Sequence, residues 1–213
     1  MALSSRNGPG GQRDAPLESR DLFLMAFGLW EPSMALPIYT QGKLDSLCGV
    51  YAFVNGYIHR LGQQQSLVDG SLGGDLSDDL FTWALQAIPK AKYPDVIWDG
   101  LDVDELERTC KKICRAMDNE LGWTHEVVRP FEPRQFRKVE NFFDALVPYH
   151  CDLPLSMIIL ALDGSPGHWV ALKEFHDTRV RLLNNGKENM LESSEFSLRE
   201  GRPNRIIQED TII

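Results

Sequence analysis

From Leu47 the apolar residues fall at Val50, Tyr51, Val54, Ile58 and Leu61, the three-and-four spacing of one helix face. Gly62 follows as a stop signal, and Asp45 and Ser46 stand ahead of the run as N-cap side chains. A loop rich in Gly and Asp over 69–75 precedes a second helix at 77–88, which Pro89 ends. Residues 102–120 predict a third helix, opened by Asp102 or Asp104 and followed by Gly122. Residues 124–130 predict a short strand, and 139–147 a short helix before Pro148. The second half changes period. Residues 155–162 form a strand-length apolar run, and Asp163-Gly164-Ser165-Pro166-Gly167 is a dense turn signal. Strands follow at 168–175 and 179–183, separated by His176-Asp177-Thr178, and Asn184-Asn185-Gly186 ends the second of them. An edge strand is expected near 205–208. Consecutive hairpins imply an antiparallel sheet, and helices first with sheet after reads as α+β.

Composition sets the outer bounds. At 213 residues, with 43% hydrophobic and 25% charged, the chain suits one globular domain with a real core. The first twenty residues are rich in Gly, Ser, Arg and Asp and lack the apolar centre of a secretory signal. They are expected to be a disordered tail (1–20), with a single domain over 21–213. The net charge of -9 argues against a nucleic-acid or anionic-membrane surface, and no apolar run approaches the roughly 20 residues of a membrane span. A cytoplasmic protein is expected, with delivery by a specialised secretion system left open; the oligomeric state is not legible. Four cysteines are too few for a disulfide scaffold, and a reducing compartment keeps a reactive thiol usable.

Those cysteines differ in setting. Cys48 stands where the first helical pattern begins, and unpaired N–H groups at a helix start favour a thiolate, the nucleophilic form. Gly49 beside it would let a substrate carbonyl approach the backbone. Gln41, seven residues upstream, can offer a side-chain amide to a developing oxyanion together with the Cys48 N–H. Gly167-His168-Trp169 begins a strand directly after a turn, a rim where an imidazole can face a cleft, with Gly167 and Trp169 as substrate-side neighbours. Asn184 ends the next strand. In an antiparallel pair the start of one strand lies near the end of the next, so Asn184 can accept from the His168 ring and orient it.

The order Gln41, Cys48-Gly49, His168-Trp169, Asn184 resembles that of the papain-like cysteine peptidases, and within them is most similar to the bacteriocin-processing peptidase-like group. The likeness covers 36–62 and 155–186 and leaves the middle helices unmatched. It implies a papain-like fold with the nucleophile on a helix and His and Asn on the sheet. Cys48 would be the nucleophile, His168 the base, Asn184 the orienter and Gln41 the oxyanion donor. The bacteriocin-processing group usually carries Asp where this chain has Asn184, whereas papain itself has Asn. The activity implied is cleavage of a peptide or isopeptide bond in a peptide or protein substrate, through a thioester, without metal or organic cofactor. The same constellation also serves glutamine deamidases and transglutaminases, and a binding module could inherit the fold without the chemistry.

Other constellations are weaker. Cys110, Cys114, His150 and Cys151 could in principle hold zinc, but their spacing lacks a CxxC knuckle, and Cys110 and Cys114 fall on an apolar face with Leu106, Ile113 and Met117. His59 lies eleven residues along the Cys48 helix, about 16 Å away at 1.5 Å per residue. His125 and His176 read as surface residues at strand ends, and Asp163 and Asp177 as turn residues that are second-choice orienters.

Overall fold

The computed structural model describes residues 39–40, 46–63, 73–132, 135–153, 155–163, 168–184 and 187–213. All of them belong to one compact unit, Met34–Ile213. The expected tail over 1–20 lies outside the described residues.

The first half is helical: α1 (Cys48–Gln63), α2 (Gly73–Ala87), a single turn α3 (Val96–Asp99) and α4 (Val103–Leu121). In α2 the helix starts a turn earlier than its apolar pattern suggests, because Gly73 and Gly74 are poor helix formers and hide the start. Leu76, Leu80 and Ala84, each four residues from the next, turn inward. Helix α4 is bounded by local chemistry. The Glu105 N–H donates to the Asp102 carboxylate at 2.8 Å and the Asp102 N–H to the Glu105 carboxylate at 3.2 Å, a reciprocal capping box. Gly122 closes it in the left-handed conformation, at φ 68°. Its inward face is Leu106, Cys110, Ile113 and Met117.

Helix α5 (Val139–Cys151) runs through Pro148 rather than stopping before it. Its buried stripe, Phe142, Phe143, Leu146 and His150, continues past the proline, and the His150 ring packs edge-on against Phe175 at 5.4 Å. Tertiary packing therefore holds a last turn that proline alone would discourage.

The second half is a five-stranded antiparallel sheet of β1 (Ile158–Asp163), β2 (His168–His176), β3 (Arg179–Asn184), β4 (Lys187–Glu192) and β5 (Arg205–Ile212), in the order β4-β3-β2-β1-β5. The α+β class is thus observed. Strand β4 was not expected, since KENMLE has little apolar alternation. Its pairing rests on the backbone ladder and on ion pairs to Lys173 and Arg179 from Glu188 and Glu192, charges that also suit an exposed edge. Residues 124–130, expected as a strand, have no strand assignment. Val128 alone exchanges backbone bonds with Ile213, at 2.9 and 3.0 Å.

Both faces of the sheet are covered. Ile159, Ala171, Leu183 and Ile212 share a core with α1, α2 and α4, while Ile158, Leu160, Val170, Leu172, Val180, Leu182 and Ile206 share another with α5. Adjacent residues of each central strand enter opposite cores, as period-two alternation requires. No helix among the described residues is long and apolar enough to cross a membrane.

Candidate active site

Cys48 is the first residue of α1 and is 8% exposed. The Tyr51 N–H donates to the Leu47 carbonyl at 3.1 Å, so Leu47 occupies the cap position. Ser46 is therefore not the cap expected from sequence. Its hydroxyl donates instead to the Trp98 carbonyl at 2.7 Å, and its N–H to the Ile97 carbonyl at 2.7 Å. No acidic side chain in the first turn of α1 offsets the positive field at the thiol end.

Helix α1 lies along β2 and runs in the same direction. A Cβ added to Gly49 would sit 3.3 Å from Cδ1 of Trp169, and one added to Gly56 would sit 3.0 Å from Cβ of Ala171. Farther on, His59 feels the charge of Lys173. The start of the helix and the start of the strand are thus at one end of the sheet, with Cys48 on one and His168 on the other. Alternation puts Trp169 and Ala171 on the α1 face and gives His168 the parity of Val170.

His168 is half-buried and pairs with Leu162 in β1. On the other side Ala171 is level with Leu183, so one step on Asn184 comes level with Val170, two positions from His168. The ladder between the two strands ends at Ala171 and Leu183, so Asn184 follows the last paired residue of β3 on the side that leads back toward His168. Gln41 and Gly167 lie outside the described residues. Gly49 has a packing role as well as any part in substrate approach, because Leu106 and Trp169 occupy the space a side chain would need. The Trp169 ring is tied down too, its Nε1–H donating to the Leu101 carbonyl at 3.1 Å.

Asn55, buried within α1, was not singled out from sequence. Its side chain accepts from the Tyr39 N–H at 2.8 Å and donates to the Tyr39 carbonyl at 2.9 Å, as a strand neighbour would. Tyr39 also stacks on Phe81 and donates its hydroxyl to Asp78 at 2.5 Å, which anchors the segment two residues before Gln41. The available signal was a polar amide inside an apolar helical run.

A second grouping competes on residue type alone. His125 donates from Nδ1 to the Asp118 carboxylate at 2.5 Å and shares a hydrogen bond at Nε2 with the Tyr57 hydroxyl at 2.8 Å, and Cys114 lies within electrostatic reach of Asp118 and Tyr57. Both ring nitrogens are therefore engaged. Burial, aided by Asp118, pushes the Cys114 thiol up to about 12, and burial also raises the Tyr57 hydroxyl. This cluster knits α1, α4 and residues 123–125 together. His125 is accordingly a half-buried residue with both ring nitrogens engaged and not the surface histidine its sequence position suggested, whereas His176 is exposed as expected.

Burial disfavours the thiolate at the remaining thiols. Cys110 is fully buried and driven well above its ordinary value, and burial with Asp152 raises Cys151 at the end of α5. Among the described residues no group of three or more His, Cys, Asp and Glu is arranged to hold a metal ion. Asp163 is bound by Arg205 at 2.7 Å, and Asp177 sits in the turn at the opposite end of β2 from His168. An open groove of about 630 Å³ runs along α5 between Phe131 and Tyr149, but no cysteine or histidine lines it.

No family model, curated protein or solved structure matches the chain.

Proposed function

We propose that the chain is a papain-like cysteine hydrolase that attacks a peptide or isopeptide carbonyl through Cys48. One observation carries it: α1 begins at Cys48 and runs alongside β2, which begins at His168, while β3 ends at Asn184, just past its last pairing with β2. A thiol at a helix start is favoured as thiolate, and the surroundings of Cys110, Cys114 and Cys151 disfavour theirs. Four thiols without a disulfide also suit a reducing, cytoplasmic setting.

In the proposed cycle His168 takes the thiol proton and the Cys48 sulfur bonds to the carbonyl carbon. The Cys48 N–H and the Gln41 amide meet the oxyanion, and Asn184 accepts from the second ring N–H of His168. As the C–N bond breaks, the imidazolium gives its proton to the departing amine. Water, deprotonated by His168, then attacks the thioester and releases the acid and the thiol. These steps use only protein groups and water.

The test is mass spectrometry of the chain treated with iodoacetamide and, separately, of an unstructured peptide mixture incubated with it. Cys48 should alkylate faster than an ordinary thiol. Cys48→Ala should abolish turnover without lowering the thermal midpoint, His168→Ala should cost about 10²- to 10⁴-fold, and Asn184→Ala should cost less than His168→Ala. Chain cleavage identifies a peptidase, whereas conversion or cross-linking of glutamine without cleavage identifies a deamidase or transglutaminase. Ordinary Cys48 reactivity with no change in any peptide would sink the enzyme reading and leave a binding module.

A further inference from the structure

We propose that residues 97–101 form a latch that positions the thiol against the imidazole, with Ser46 and Trp169 as its positioning residues; this rests on the catalytic pair proposed above. Three carbonyls of this segment, which is the end of α3 and the two residues after it, face the approach to α1 and the start of β2. Those of Ile97 and Trp98 accept from the N–H and hydroxyl of Ser46, both at 2.7 Å, two residues before Cys48. That of Leu101 accepts from Nε1 of Trp169, the residue after His168, at 3.1 Å. The Trp169 ring in turn packs at Gly49, the residue after Cys48. One segment therefore grips the approach to the helix start and the beginning of the strand together.

The segment is held at both ends. Val96 and Leu101 are buried at its two ends. Between them Gly100 adopts φ 78° and ψ -163°, a conformation essentially reserved for glycine. A Cβ there would also lie 2.9 Å from the Ser46 carbonyl oxygen, so the segment approaches Ser46 as closely as backbone allows. Asp102, which caps α4, follows directly, and an ion pair from Lys92 to Glu105 ties the preceding segment to the same helix turn. Ser46 thus spends its hydroxyl on this segment rather than on capping α1, which fits a part in setting where α1 begins.

The experiment is the pH profile of iodoacetamide alkylation at Cys48, followed on the Cys48 peptide, for the wild-type chain, Ser46→Ala, Ser46→Thr, Trp169→Phe and His168→Ala, with thermal midpoints alongside. Ser46→Ala and Trp169→Phe each delete one donor, and each should slow alkylation at pH 6.5 about 5- to 10-fold and move the profile toward that of His168→Ala. Ser46→Thr keeps the hydroxyl and should restore the wild-type profile. Wild-type profiles in Ser46→Ala and Trp169→Phe would overturn the latch while leaving the catalytic pair standing. Loss that merely tracks a lower thermal midpoint, with no rescue by Ser46→Thr, would overturn it as well. An ordinary thiol profile in the wild type, unaltered by His168→Ala, would remove both the pair and the latch.

Discussion

At the residue scale, glycines in α1 decide how closely the helix approaches the sheet. A Cβ at Gly56 would stand 2.7 Å from Sδ of Met157 and 3.0 Å from Cβ of Ala171. Met157 is flexible and can yield, but Ala171 has no torsion with which to move its Cβ aside. Gly56→Ala should therefore push α1 away from β2 and destabilise the fold by about 1–3 kcal/mol as overpacking, despite the better helix propensity of alanine. A urea titration checks this, and an unchanged or raised midpoint would show that the helix absorbs the methyl group. Because the same packing sets Cys48 beside the strand that starts at His168, alkylation of Cys48 should slow in this variant too. Asn55 and Ser46 belong to the same scale, since each binds backbone of a neighbouring segment instead of its own helix.

At the element scale, α4 is the brace between the helices and the latch. Its first turn supplies Leu106 against Gly49, and its capping residue Asp102 follows Leu101, the acceptor of the Trp169 bond. Asp102→Ala removes one half of the capping box and should cost about 1 kcal/mol, read as a lower urea midpoint. Asp102→Asn should recover most of it, because an amide oxygen still accepts from the Glu105 N–H. Equal loss in both variants would mean that charge, not the cap, is what Asp102 contributes. Arg129 joins the other end of the chain to this helix. It contacts Asp104 at 3.1 Å and Asp210 at 3.5 Å and donates through Nε to the Glu209 carbonyl at 3.0 Å. Strand β5 is thereby linked to the first turn of α4 through residues that formed no strand of their own.

At the scale of the whole molecule, the far end of α1 carries a buried basic group shared by both layers of helix. Arg60 donates to the His150 carbonyl at 2.7 Å, joining α1 to α5. His59 and His150 are both pushed down to about 4, chiefly by burial, then by Lys173 and Arg60 at His59 and by Arg60 and His59 at His150. Between their ordinary value of 6.5 and about 4 the unfolded chain binds protons that the folded chain does not, so stability rises with pH across that window. On acidification the urea midpoint should fall below pH 6.5. Glu105 and Glu188, whose values are lowered by Lys92 and Lys173, add their own loss only below 4.5. His150→Gln should flatten the decline between pH 6.5 and 4.5. A decline of the same steepness in that variant would show that other groups carry it.

Sequence alone determined the α+β order of elements, a helix whose first turn holds Cys48, a helix between Asp102 or Asp104 and Gly122, and the strands that open at His168 and close at Asn184. These are local matters of apolar period, cap and turn chemistry, and they need no knowledge of neighbours. Strand β4, the final turn of α5 and the irregular course of 124–130 were decided by tertiary structure, because cross-strand ion pairs, the packing of His150 on Phe175 and the single pairing of Val128 with Ile213 override weak local preference. The same holds at the candidate site. Periodicity placed Cys48 at a helix start, but only packing showed α1 running with β2, so that helix start and strand start share an end. Ser46 resembled a cap by sequence. Its hydroxyl instead binds a carbonyl 52 residues away, and a hydrogen bond over that separation is set by the fold, not by local pattern.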